Sequence, residues 1–578
     1  MLKLAELIRE NNRYRDFSNN RQILYLSNLV LIPFDEILFY HLRLLGLSSG
    51  VKIGMFNSIV TEIVRYSDDH DAIVVNYDPF AFMLESNYYL RKVTSKECQN
   101  LEDNFIQLIN QMIQNLPPDK PVIFLGLVKP KIRGDKKLSD SIQKTVKRCN
   151  TFLESLENDK RKVLDLQKLI RILGKEIVYK QDFNSFDPSP YTFEFVKYLS
   201  EIMASMLANQ LLNYKKLLVL DCDNTLWGGV AAEVGYKSLV IGGSSKQGRI
   251  FLELQLLFKN LNQRGVILAL CSKNSEMDVV EVFENNNDMA LELDQFASKK
   301  INWVPKSKNI LEICLELNLS PDSVVFIDDS LFEIHEVMSL REKISCMSVP
   351  VSSFEVDLLR WKLDELFPFK ITTSEDMKKT RYYHDAVIRK QQLGKFLSYE
   401  EYLRSLETRI ELNRLSSSSP VDRVSQLSLK TNQFNFMHAR LDPDSIIRML
   451  NDKKYSIYTG AVFDNVGDTG IVFLLISEAI SAHPREIRVV EMVLSCRVFG
   501  RNIAERAFVY IIEHFRKSGI ERVFGIFEKT NKNSQFSEFF PSLGFKLNNV
   551  NSANYEYVLD LSGYTSPEYD YPTIKANF

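Results

Sequence analysis

The sequence KLLVLDCDNTLW, residues 216–227, decides the fold of the middle of the chain. Its apolar half has the character of a buried parallel strand, which ends abruptly in two acids one residue apart. Such a strand delivers Asp221 and Asp223 to the carboxyl end of an open α/β sheet, where these sheets bind their ligands. Alternate residues of an extended chain project to the same side, so both carboxylates face one pocket. Because two carboxylates repel each other, the pair predicts a divalent cation.

Three further segments decide between this site and an ordinary polar turn, which an isolated Asp-x-Asp forms equally well. A second apolar strand ends in the hydroxyl of Ser272, Lys306 follows, and a third apolar strand ends in Asp328 and Asp329. The carboxyl ends of parallel strands lie at one edge of a sheet, which brings these polar groups together. The four segments therefore favour one cation site over a turn.

The order of these segments resembles the haloacid dehalogenase (HAD) phosphohydrolase superfamily. A finer similarity, to its FkbH-like branch, rests on the segments DCDNTLWGGV, CSKN, NWVPKSKN and FIDD, at residues 221–230, 271–274, 302–309 and 326–329. The resemblance implies a phosphatase in which Asp221 attacks phosphorus and becomes an aspartyl phosphate. Asp223 would protonate the leaving oxygen and then activate water.

The same resemblance implies a set of metal ligands. Asp221 and Asp328 are expected to hold Mg²⁺ through their carboxylates, and Asp223 through its backbone carbonyl oxygen. These are the oxygen ligands that Mg²⁺ prefers, and the ion usually keeps several waters besides. Asp329 is expected to lie just outside this set. Mg²⁺ is therefore the predicted cofactor.

Two further side chains are expected to hold the oxygens of the transferring phosphoryl group. By the resemblance these are Ser272 and Lys306, placed where charge spreads in the transition state. Thr225 is expected to form a hydrogen bond near Asp221. Two alternatives stay open for the lysine: Lys306 lies on the surface, or Lys308 takes its role.

Length and composition exclude several classes of protein. At 578 residues the chain is too long for a single core, and three or four domains are expected. A formal net charge of −2 argues against nucleic acid as the main partner. Seven scattered cysteines form neither a disulfide framework nor a zinc spacing. The sequence has no secretory signal and no run of about 18 apolar residues, so we expect a cytoplasmic protein with no membrane partner.

We predict a multidomain α/β chain. The first domain has an SGNH- or flavodoxin-like α/β fold, the second a HAD Rossmann-like fold without a cap, and the third a GNAT-like α+β fold. The gaps that separate Thr225, Ser272 and Lys306 leave no room for a large cap, and a small one within 231–248 is an alternative. The predicted limits are 1–205, 206–370 and 421–562 for the domains, 371–420 for a helical connector with a serine-rich linker, and 563–578 for a loose polar tail.

The first domain resembles an SGNH hydrolase, but its chemistry is incomplete. Ser27 lies at a strand end, where a hydrolase nucleophile would lie. The region from Asp182 to Ser189, where such folds keep an Asp-x-x-His pair, contains no histidine. Without a base the hydroxyl is a poor nucleophile. We therefore predict a non-catalytic scaffolding or docking domain, with an active esterase as the alternative.

The last domain carries a loop that resembles the pyrophosphate loop of the GNAT acyltransferases. This loop, SCRVFGRN at 495–502, follows a predicted strand and precedes a predicted helix. The resemblance implies that the loop, with Arg497, Gly500 and Arg501, binds the phosphates of a pantetheine-bearing carrier through backbone N–H groups. The family pattern has Gly or Ala where this chain has Asn502, a departure that puts the affinity in question.

Cys496 is the candidate nucleophile of the last domain. It lies at a strand end beside Arg497 and ahead of a helix amino terminus, and both features lower the pKa of a thiol. Free cysteine is also among the residue types most often buried, so a core position is the alternative. His438 is either a base near Cys496 or an ordinary surface histidine.

FkbH-like proteins are glyceryl transferase/phosphatases, and the resemblance covers nearly the whole chain. It implies that the protein takes the glyceryl unit of 1,3-bisphosphoglycerate and removes its phosphates. The product, D-glycerate, is delivered as a thioester to a phosphopantetheinylated acyl carrier protein for polyketide or related natural-product assembly. One alternative is a Mg²⁺-dependent phosphatase with an acetyltransferase-like domain in a surface-polysaccharide pathway. A scaffold without activity is disfavoured, because Asp221, Asp223, Lys306 and Asp328 are all present.

Overall fold

Three β-sheets form the framework of the chain. They lie in the part that the computed structural model describes, which is the whole sequence except residues 1–3, 13–20, 32, 81–94, 131–135, 181–190, 213, 244, 341–342, 369–381, 384, 386–387, 390–391, 393–395, 397, 417–419, 432, 481–482, 531 and 552–553. The first two sheets are parallel, with helices between successive strands, and the third is mixed. The predicted multidomain α/β fold is therefore confirmed, whereas the domain limits stay predictions.

The first sheet has the strand order β2-β1-β3-β4-β5 and is parallel throughout. Its central strands are aliphatic runs buried on both faces, as is usual for parallel sheets covered by helices. The strands are β1 (Gln22–Ser27), β2 (Gly50–Ile53), β3 (Ala72–Asn76), β4 (Val122–Leu125) and β5 (Arg161–Leu164). The helices of this part are Leu4–Asn12, Phe34–Leu44, Ile59–Tyr66, Ser95–Asn115, Lys136–Ser155, Leu166–Leu173, Lys175–Val178 and Phe193–Leu211.

Ser27, the predicted strand-end hydroxyl, is the last residue of β1. Its Oγ donates to the carbonyl oxygen of Leu29 at 2.8 Å and accepts from the Leu29 N–H at 2.9 Å. The Ser27 hydroxyl therefore both donates and accepts a hydrogen bond within a local turn. The segment from Asp182 to Ser189, which lacks a histidine, lies outside the described residues.

The second sheet has the order β10-β9-β6-β7-β8 and is also parallel. Its strands are β6 (Leu217–Leu220), β7 (Ile267–Ser272), β8 (Phe296–Ile301), β9 (Val324–Asp328) and β10 (Ser345–Ser348). Its helices are Ala231–Val234, Lys246–Gln263, Glu276–Asn285, Lys306–Glu316, Leu331–Met338 and Ser353–Leu366. In the segment 231–248, where a small cap was the alternative, the described residues before the next long helix form the short helix Ala231–Val234 and a 3₁₀ turn, Tyr236–Ser238. The carboxyl edge of this sheet therefore stays open.

One apolar core joins the first two sheets. The helix Phe193–Leu211 is apolar around most of its circumference, which is typical of a helix buried on several sides. It packs against Phe34–Leu44 from the first sheet and Ser353–Leu366 from the second. Gly46, at φ +76°, fits so closely that a Cβ there would lie 2.7 Å from the Lys343 carbonyl carbon. The two sheets are thus packed against each other along a continuous interface.

The buried imidazole of His41 gives this interface a pH dependence. Burial lowers the pKa of His41 from 6.5 to about 4, although the Glu201 carboxylate opposes the shift. Between about pH 6.5 and 4 the imidazole of His41 is protonated in the unfolded chain but neutral in the folded protein. Its contribution to the free energy of unfolding is therefore complete above about pH 6.5 and is lost as the pH falls toward 4. Between pH 7.5 and 5 this loss is about 2 kcal/mol. We expect His41→Gln to remove this part of the pH dependence of urea unfolding. The control is His483→Gln, at an exposed position, which should keep it. An unchanged pH dependence in His41→Gln would contradict the role of His41.

The third sheet has the order β17-β18-β16-β15-β14-β13-β11-β19, with β12 paired to β15. Its strands are β11 (Arg409–Arg414), β12 (Phe434–Asn435), β13 (Tyr455–Phe463), β14 (Asp468–Ala479), β15 (Glu486–Leu494), β16 (Arg522–Glu528), β17 (Lys546–Asn551), β18 (Asn554–Asp560) and β19 (Thr573–Asn577). Helices of this part are Tyr399–Ser405, Val421–Lys430, Pro443–Asn451, Ile503–Lys517 and Phe539–Ser542. Among the helices within the described ranges, none has both the length and the apolar character that crossing a bilayer requires.

The carboxyl-terminal tail is ordered by this sheet, so the prediction of a loose tail is wrong. Thr573–Asn577 pairs in parallel with β11, and Ile574 and Ala576 pack on the core of the sheet. The ring of Phe578 lies 5.3 Å from that of Tyr458. An edge strand offers a row of unpaired backbone groups, and the tail satisfies them. The alternation of polar and apolar residues in the tail was the available signal.

Candidate active site

Three carboxylates meet at the carboxyl edge of the second sheet. Asp221 follows β6, Asp328 ends β9, and Asp329 comes next. One oxygen from each lies within 4.8 Å of the others. They meet because β6 and β9 are neighbours in register, with Leu220 opposite Ile327. The structure thus brings together the two predicted carboxylate ligands and adds Asp329, which was expected outside the set.

The ammonium of Lys306 lies between two of these carboxylates. Its Nζ donates to Asp221 Oδ1 at 2.8 Å and to Asp328 Oδ2 at 2.6 Å. The side chain is 5% exposed, so a surface position for Lys306 is wrong, and it is Lys308 that is exposed. Burial alone would lower the pKa of Lys306, but the two carboxylates raise it above its ordinary value. Lys306 is therefore a fixed positive charge inside a buried acidic site.

Crowding weakens the acids of this cluster. Burial, and then the charge of Asp221, raise the pKa of Asp328 to about 7, while Lys306 opposes the shift. Burial and Asp221 also raise the pKa of Asp329. Like charges held in a small buried volume favour either protonation or a bound cation. One ammonium, that of Lys306, does not balance three carboxylates, so the cluster favours binding of a cation.

The donor set fits Mg²⁺. Each of the three acids offers carboxylate oxygen, and neighbouring ligands of an octahedral Mg²⁺ lie about 3 Å apart, opposite ones about 4 Å. The three oxygens lie within 4.8 Å of one another, which is close to these separations. Asp221 and Asp328 are buried, whereas Asp329 is exposed. Asp221, Asp328 and Asp329 are therefore the side chains that would hold the ion.

Asp223 lies outside this set of three acids and is fixed by three donors. Its Oδ1 accepts from Trp227 Nε1 at 2.8 Å and from the Ala231 N–H at 3.1 Å, and its Oδ2 accepts from Asn274 Nδ2 at 2.8 Å. Burial is the main cause that raises the pKa of Asp223. A carboxyl group held in one orientation, with a raised pKa, suits proton exchange with a substrate oxygen. The contribution of its backbone carbonyl to a metal stays a prediction.

Asn274 is a positioning residue whose role the sequence did not reveal, although the residue matches a position of the family pattern. It lies two residues beyond Ser272, and the helix that follows it begins at Glu276. Its side-chain oxygen accepts from the Ser275 N–H at 2.8 Å, which leaves the amide group pointed at Asp223. An asparagine between a strand-end hydroxyl and a helix start was visible in the sequence, but only the fold shows which carboxylate it holds.

The two predicted hydroxyls are both buried at this edge. Ser272 ends β7, and its hydroxyl contacts the thiol of Cys222. Thr225 Oγ1 is buried without a hydrogen-bond partner among the described residues, so the expected hydrogen bond near Asp221 is not formed. An unsatisfied buried hydroxyl is costly. It marks a place where a ligand or water oxygen would be stabilised.

Cys496 lies where the last domain touches the second sheet. It begins the 3₁₀ turn Cys496–Val498 after β15, and it is half-buried. Its backbone carbonyl accepts from Asn318 Nδ2 at 2.7 Å, and its thiol is hydrogen-bonded to the hydroxyl of Tyr383. Burial, and then the neighbouring Cys496, raise the pKa of Tyr383. The thiol therefore lies at an interdomain contact and not inside the core of one domain.

A cleft of about 400 Å³ separates the second sheet from the last domain at Cys496. Its wall on the sheet side includes Lys216, Val266 and Ser323, which directly precede β6, β7 and β9. The cleft thus lies at the amino ends of these strands, the opposite edge from Asp221. Six Lys and Arg side chains and one carboxylate line it, although the whole chain has a net charge of −2. The cleft therefore favours anionic ligands.

Arg501, predicted to bind phosphate, points into the protein instead. Its guanidinium donates to Asp464 Oδ2 at 2.5 Å and to Thr408 Oγ1 at 3.0 Å, and its side chain is 7% exposed. Arg389 binds the same carboxylate with two hydrogen bonds of 2.8 Å. A guanidinium committed to a buried carboxylate is not available for a ligand, so the Arg501 side chain is excluded as a phosphate ligand, whereas a contact through its backbone N–H stays a prediction.

Removing this carboxylate is expected to destabilise the last domain strongly. Asp464→Ala would leave the guanidinium groups of Arg389 and Arg501 buried without their counter-charge, at a cost of about 3–5 kcal/mol. The matched control is Asp570→Ala, which removes an exposed ion pair with Arg404 and should change little. Urea unfolding of both variants, monitored by circular dichroism, measures the difference in stability. Equal midpoints for Asp464→Ala and wild type would contradict the buried pairing.

The other two predicted phosphate ligands of this loop are Gly500 and Arg497. Gly500 adopts φ +75°, and its carbonyl oxygen accepts from the Tyr399 hydroxyl at 2.9 Å. Asn502 adopts φ +56°, a left-handed conformation that asparagine tolerates, and this explains its place where glycine is usual. Arg497 lines the cleft, with Nε bound to Ser495 Oγ at 3.2 Å. Arg497 and Gly500 as phosphate ligands stay predictions.

A segment of the chain itself lies between two diverging strands of the last sheet. β15 pairs with β16 only over Glu486–Val489. Beyond that point β12 pairs with β15, and the Glu528 N–H donates to the Phe436 carbonyl oxygen at 2.8 Å. His438 follows this segment, and its Nε2 lies 3.3 Å from Asn533 Nδ2. His438 is half-buried, and its contacts in the described structure do not include Cys496.

Comparison with known proteins gives likenesses of fold. No protein-family model matches the sequence, and no curated protein matches it. The chain is similar to the N-terminal part of a Bacteroides fragilis protein containing a phosphatase domain complexed with Mg, at 23% identity and a TM-score of 0.47, over 64% of this chain and all of that one. It is similar to an IAA acetyltransferase from Bacillus cereus, at 8% identity and a TM-score of 0.20, over 26% of this chain and 99% of that one. It is also similar to a PaiA N-acetyltransferase from Thermoplasma acidophilum in complex with coenzyme A, at 11% identity and a TM-score of 0.21. That similarity covers 26% of this chain and 98% of the acetyltransferase.

Proposed function

We propose that the protein is a Mg²⁺-dependent glyceryl transferase/phosphatase. It removes phosphate from a unit derived from 1,3-bisphosphoglycerate and loads D-glycerate as a thioester onto a phosphopantetheinylated acyl carrier protein, for polyketide or related natural-product assembly. The observation that carries the phosphatase part is the buried arrangement of Asp221, Lys306 and Asp328 at the open edge of the second sheet. The transferase part rests on Cys496 in the basic interdomain cleft.

Phosphate removal uses the residues at the carboxyl edge. The Asp221 carboxylate attacks phosphorus, the P–O bond to the substrate breaks, and the Asp223 carboxyl group gives its proton to the leaving oxygen. Asp223 then takes a proton from the water that cleaves the aspartyl phosphate. Lys306 stabilises the negative charge of the transferring oxygens. When bound, Mg²⁺ would supply the charge neutralisation that lets a carboxylate approach a phosphate dianion.

Acyl transfer uses the thiol at the opposite edge. An acyl phosphate is already activated, so the Cys496 thiolate attacks its carbonyl carbon and the carbon–oxygen bond to phosphate breaks. The phosphate leaves with the bonding electron pair, and an enzyme thioester forms. The pantetheine thiol of the carrier then takes the acyl group. The positive lining of the cleft, including Arg497 and Lys216, supports binding of such an anionic donor.

The separation of the two centres supports a tethered substrate. Asp221 and the cleft at Cys496 lie at opposite ends of β6, and the sheet stands between them. A glyceryl unit loaded at one edge must travel around the molecule to lose phosphate at the other. A flexible arm on a carrier protein keeps the unit close during that passage.

Two observations favour a second candidate, a Mg²⁺-dependent phosphatase with an acetyltransferase-like domain in a surface-polysaccharide pathway. Arg501 is committed to Asp464, and residues 434–436 lie between β15 and β16. The guanidinium of Arg501 is therefore not available to a phosphate of a pantetheine-bearing ligand, and a segment of the chain already pairs with β15 beyond the end of its pairing with β16. Such an enzyme would act on free phosphosugars through the open edge of the second sheet.

Intact-mass spectrometry separates the two candidates. The protein is incubated with Mg²⁺, enzymatically generated 1,3-bisphosphoglycerate and a phosphopantetheinylated carrier protein. A glyceryl adduct on the carrier, free of phosphate, is the expected result. Fast hydrolysis of phosphosugars with no adduct on any carrier would overturn the transferase proposal and support the second candidate.

A further inference from the structure

A second cleft, of about 350 Å³, lies between the first two sheets and reaches the phosphatase edge. Asp329 and Leu331, which directly follow β9, line it. The helix Phe34–Leu44 and the helix Phe193–Leu211 form one wall. Residues 346–351, which are most of β10 and the three residues after it, form the other. The cleft is therefore a direct continuation of the site at Asp221, and the first domain supplies half of it.

The walls of this cleft are apolar and fixed in place. Leu45, Met347 and Leu359 are among the lining side chains. Ser345 Oγ donates to the Leu45 carbonyl oxygen at 2.8 Å, and the Tyr198 hydroxyl donates to Glu355 Oε1 at 3.1 Å. These bonds cross from one sheet to the other, so the cleft is a permanent feature of the domain contact.

The cleft also contains an unsatisfied polar group. His41 lines it and is 6% exposed, and its Nε2 has no hydrogen-bond partner within the described part of the chain. Glu201 Oε1 lies 3.9 Å from His41 Nε2, and the other oxygen of that carboxylate, Oε2, accepts a hydrogen bond from Lys362 Nζ at 2.9 Å. A buried ring nitrogen without a partner is destabilising. A ligand with an amide or hydroxyl group would satisfy it.

The charge of this cleft differs from that of the cleft at Cys496. Its charged lining consists of two lysines and three carboxylates, beside the neutral imidazole of His41, so it carries no positive excess. A second phosphate would gain nothing there, whereas methylene groups gain from the apolar walls. Apolar walls that also carry a few hydrogen-bonding groups, with no net positive charge, suit an uncharged amphipathic chain.

We propose that this cleft binds the amide-bearing pantetheine arm of the carrier while the phosphate attached to its acyl unit lies at Asp221. The inference rests on the proposed function and deepens it. The first domain then serves as the substrate-binding wall of the phosphatase, in the place of a cap. Val349 and Leu359 contact the methylene groups of the arm, and His41 Nε2 bonds an amide of the arm.

The test compares a phosphoglyceryl thioester of pantetheine with a small phosphoester, p-nitrophenyl phosphate, on the full-length protein with Mg²⁺. The ratio of kcat/KM for the two substrates is the readout. Val349→Trp, which fills the cleft from a half-exposed position, should lower this ratio at least tenfold, and His41→Gln should lower it about tenfold. Val550→Trp, on an exposed strand of the last sheet, is the control and should leave the ratio unchanged. Thermal unfolding verifies that each variant is folded.

A second measurement locates the arm directly. A carrier whose pantetheine bears a diazirine is photocrosslinked to the wild-type protein, and the labelled peptides are identified by mass spectrometry. Labels in residues 40–45 and 346–359 are expected. Labels confined to the cleft at Cys496, or ratios unchanged in Val349→Trp and His41→Gln, would overturn this inference and leave the proposed function intact. Failure of the wild type to hydrolyse the pantetheine thioester, with p-nitrophenyl phosphate still cleaved, would overturn both.

Discussion

Replacing Asp221 by asparagine is expected to lower phosphate release at least about 10³-fold, because the carboxylate that attacks phosphorus is lost. The variant should still fold. Asparagine has the same size, and its side-chain oxygen can still accept the hydrogen bond that Lys306 Nζ makes to Asp221 Oδ1 at 2.8 Å. The loss of one negative charge also leaves Asp328 and Asp329 with less repulsion to relieve. We therefore expect Mg²⁺ to bind the variant more weakly than wild type.

Steady-state release of phosphate and calorimetric titration with Mg²⁺ measure the two effects separately. Asp159→Asn, in an exposed turn of the first domain, is the matched control and should match wild type in both. In the carrier assay, Asp221→Asn should still load the carrier, but with the glyceryl unit left phosphorylated. A variant that retains more than a tenth of wild-type phosphate release would exclude Asp221 as the nucleophile.

Replacing Cys496 by alanine is expected to lower the rate of carrier loading at least about 10³-fold. The reason is that alanine removes the thiol that receives the acyl group. Hydrolysis of small phosphoesters should stay within about twofold of wild type, because Asp221 lies at the other edge of the second sheet. Intact-mass spectrometry checks both the carrier and the enzyme. The wild-type enzyme should carry an acyl adduct on the tryptic peptide that contains Cys496.

Two further variants sharpen this prediction. Cys98→Ala removes a thiol from the core of the first sheet and should leave loading intact. Tyr383→Phe removes the hydroxyl that bonds the Cys496 thiol and should slow loading without abolishing it. Wild-type loading by Cys496→Ala would mean that the acyl phosphate is transferred directly to the pantetheine thiol.

The positions of the acids were predictable from the sequence because they depend on strand direction alone. An apolar run followed at once by acid, as at Leu220-Asp221 and Ile327-Asp328, fixes where the acid emerges once the strand is buried. Two such strands that are parallel neighbours must bring their acids to one edge. Local sequence therefore determined the multidomain α/β fold and the meeting of Asp221 with Asp328.

Side-chain direction and domain contact required the tertiary structure. Arg501 turns inward because Asp464, 37 residues earlier in the chain, offers it a buried carboxylate. The tail strand exists because β11 had a free edge. In both cases the partner, Asp464 or β11, lies far along the sequence from the segment that it orients. The sequence by itself determined which strand ends carry acids, a hydroxyl and a thiol, since burial and strand direction are local properties. Only the tertiary structure decided that Cys496 faces a basic cleft and that His41 lines an apolar one, because both clefts are formed by side chains from separate domains.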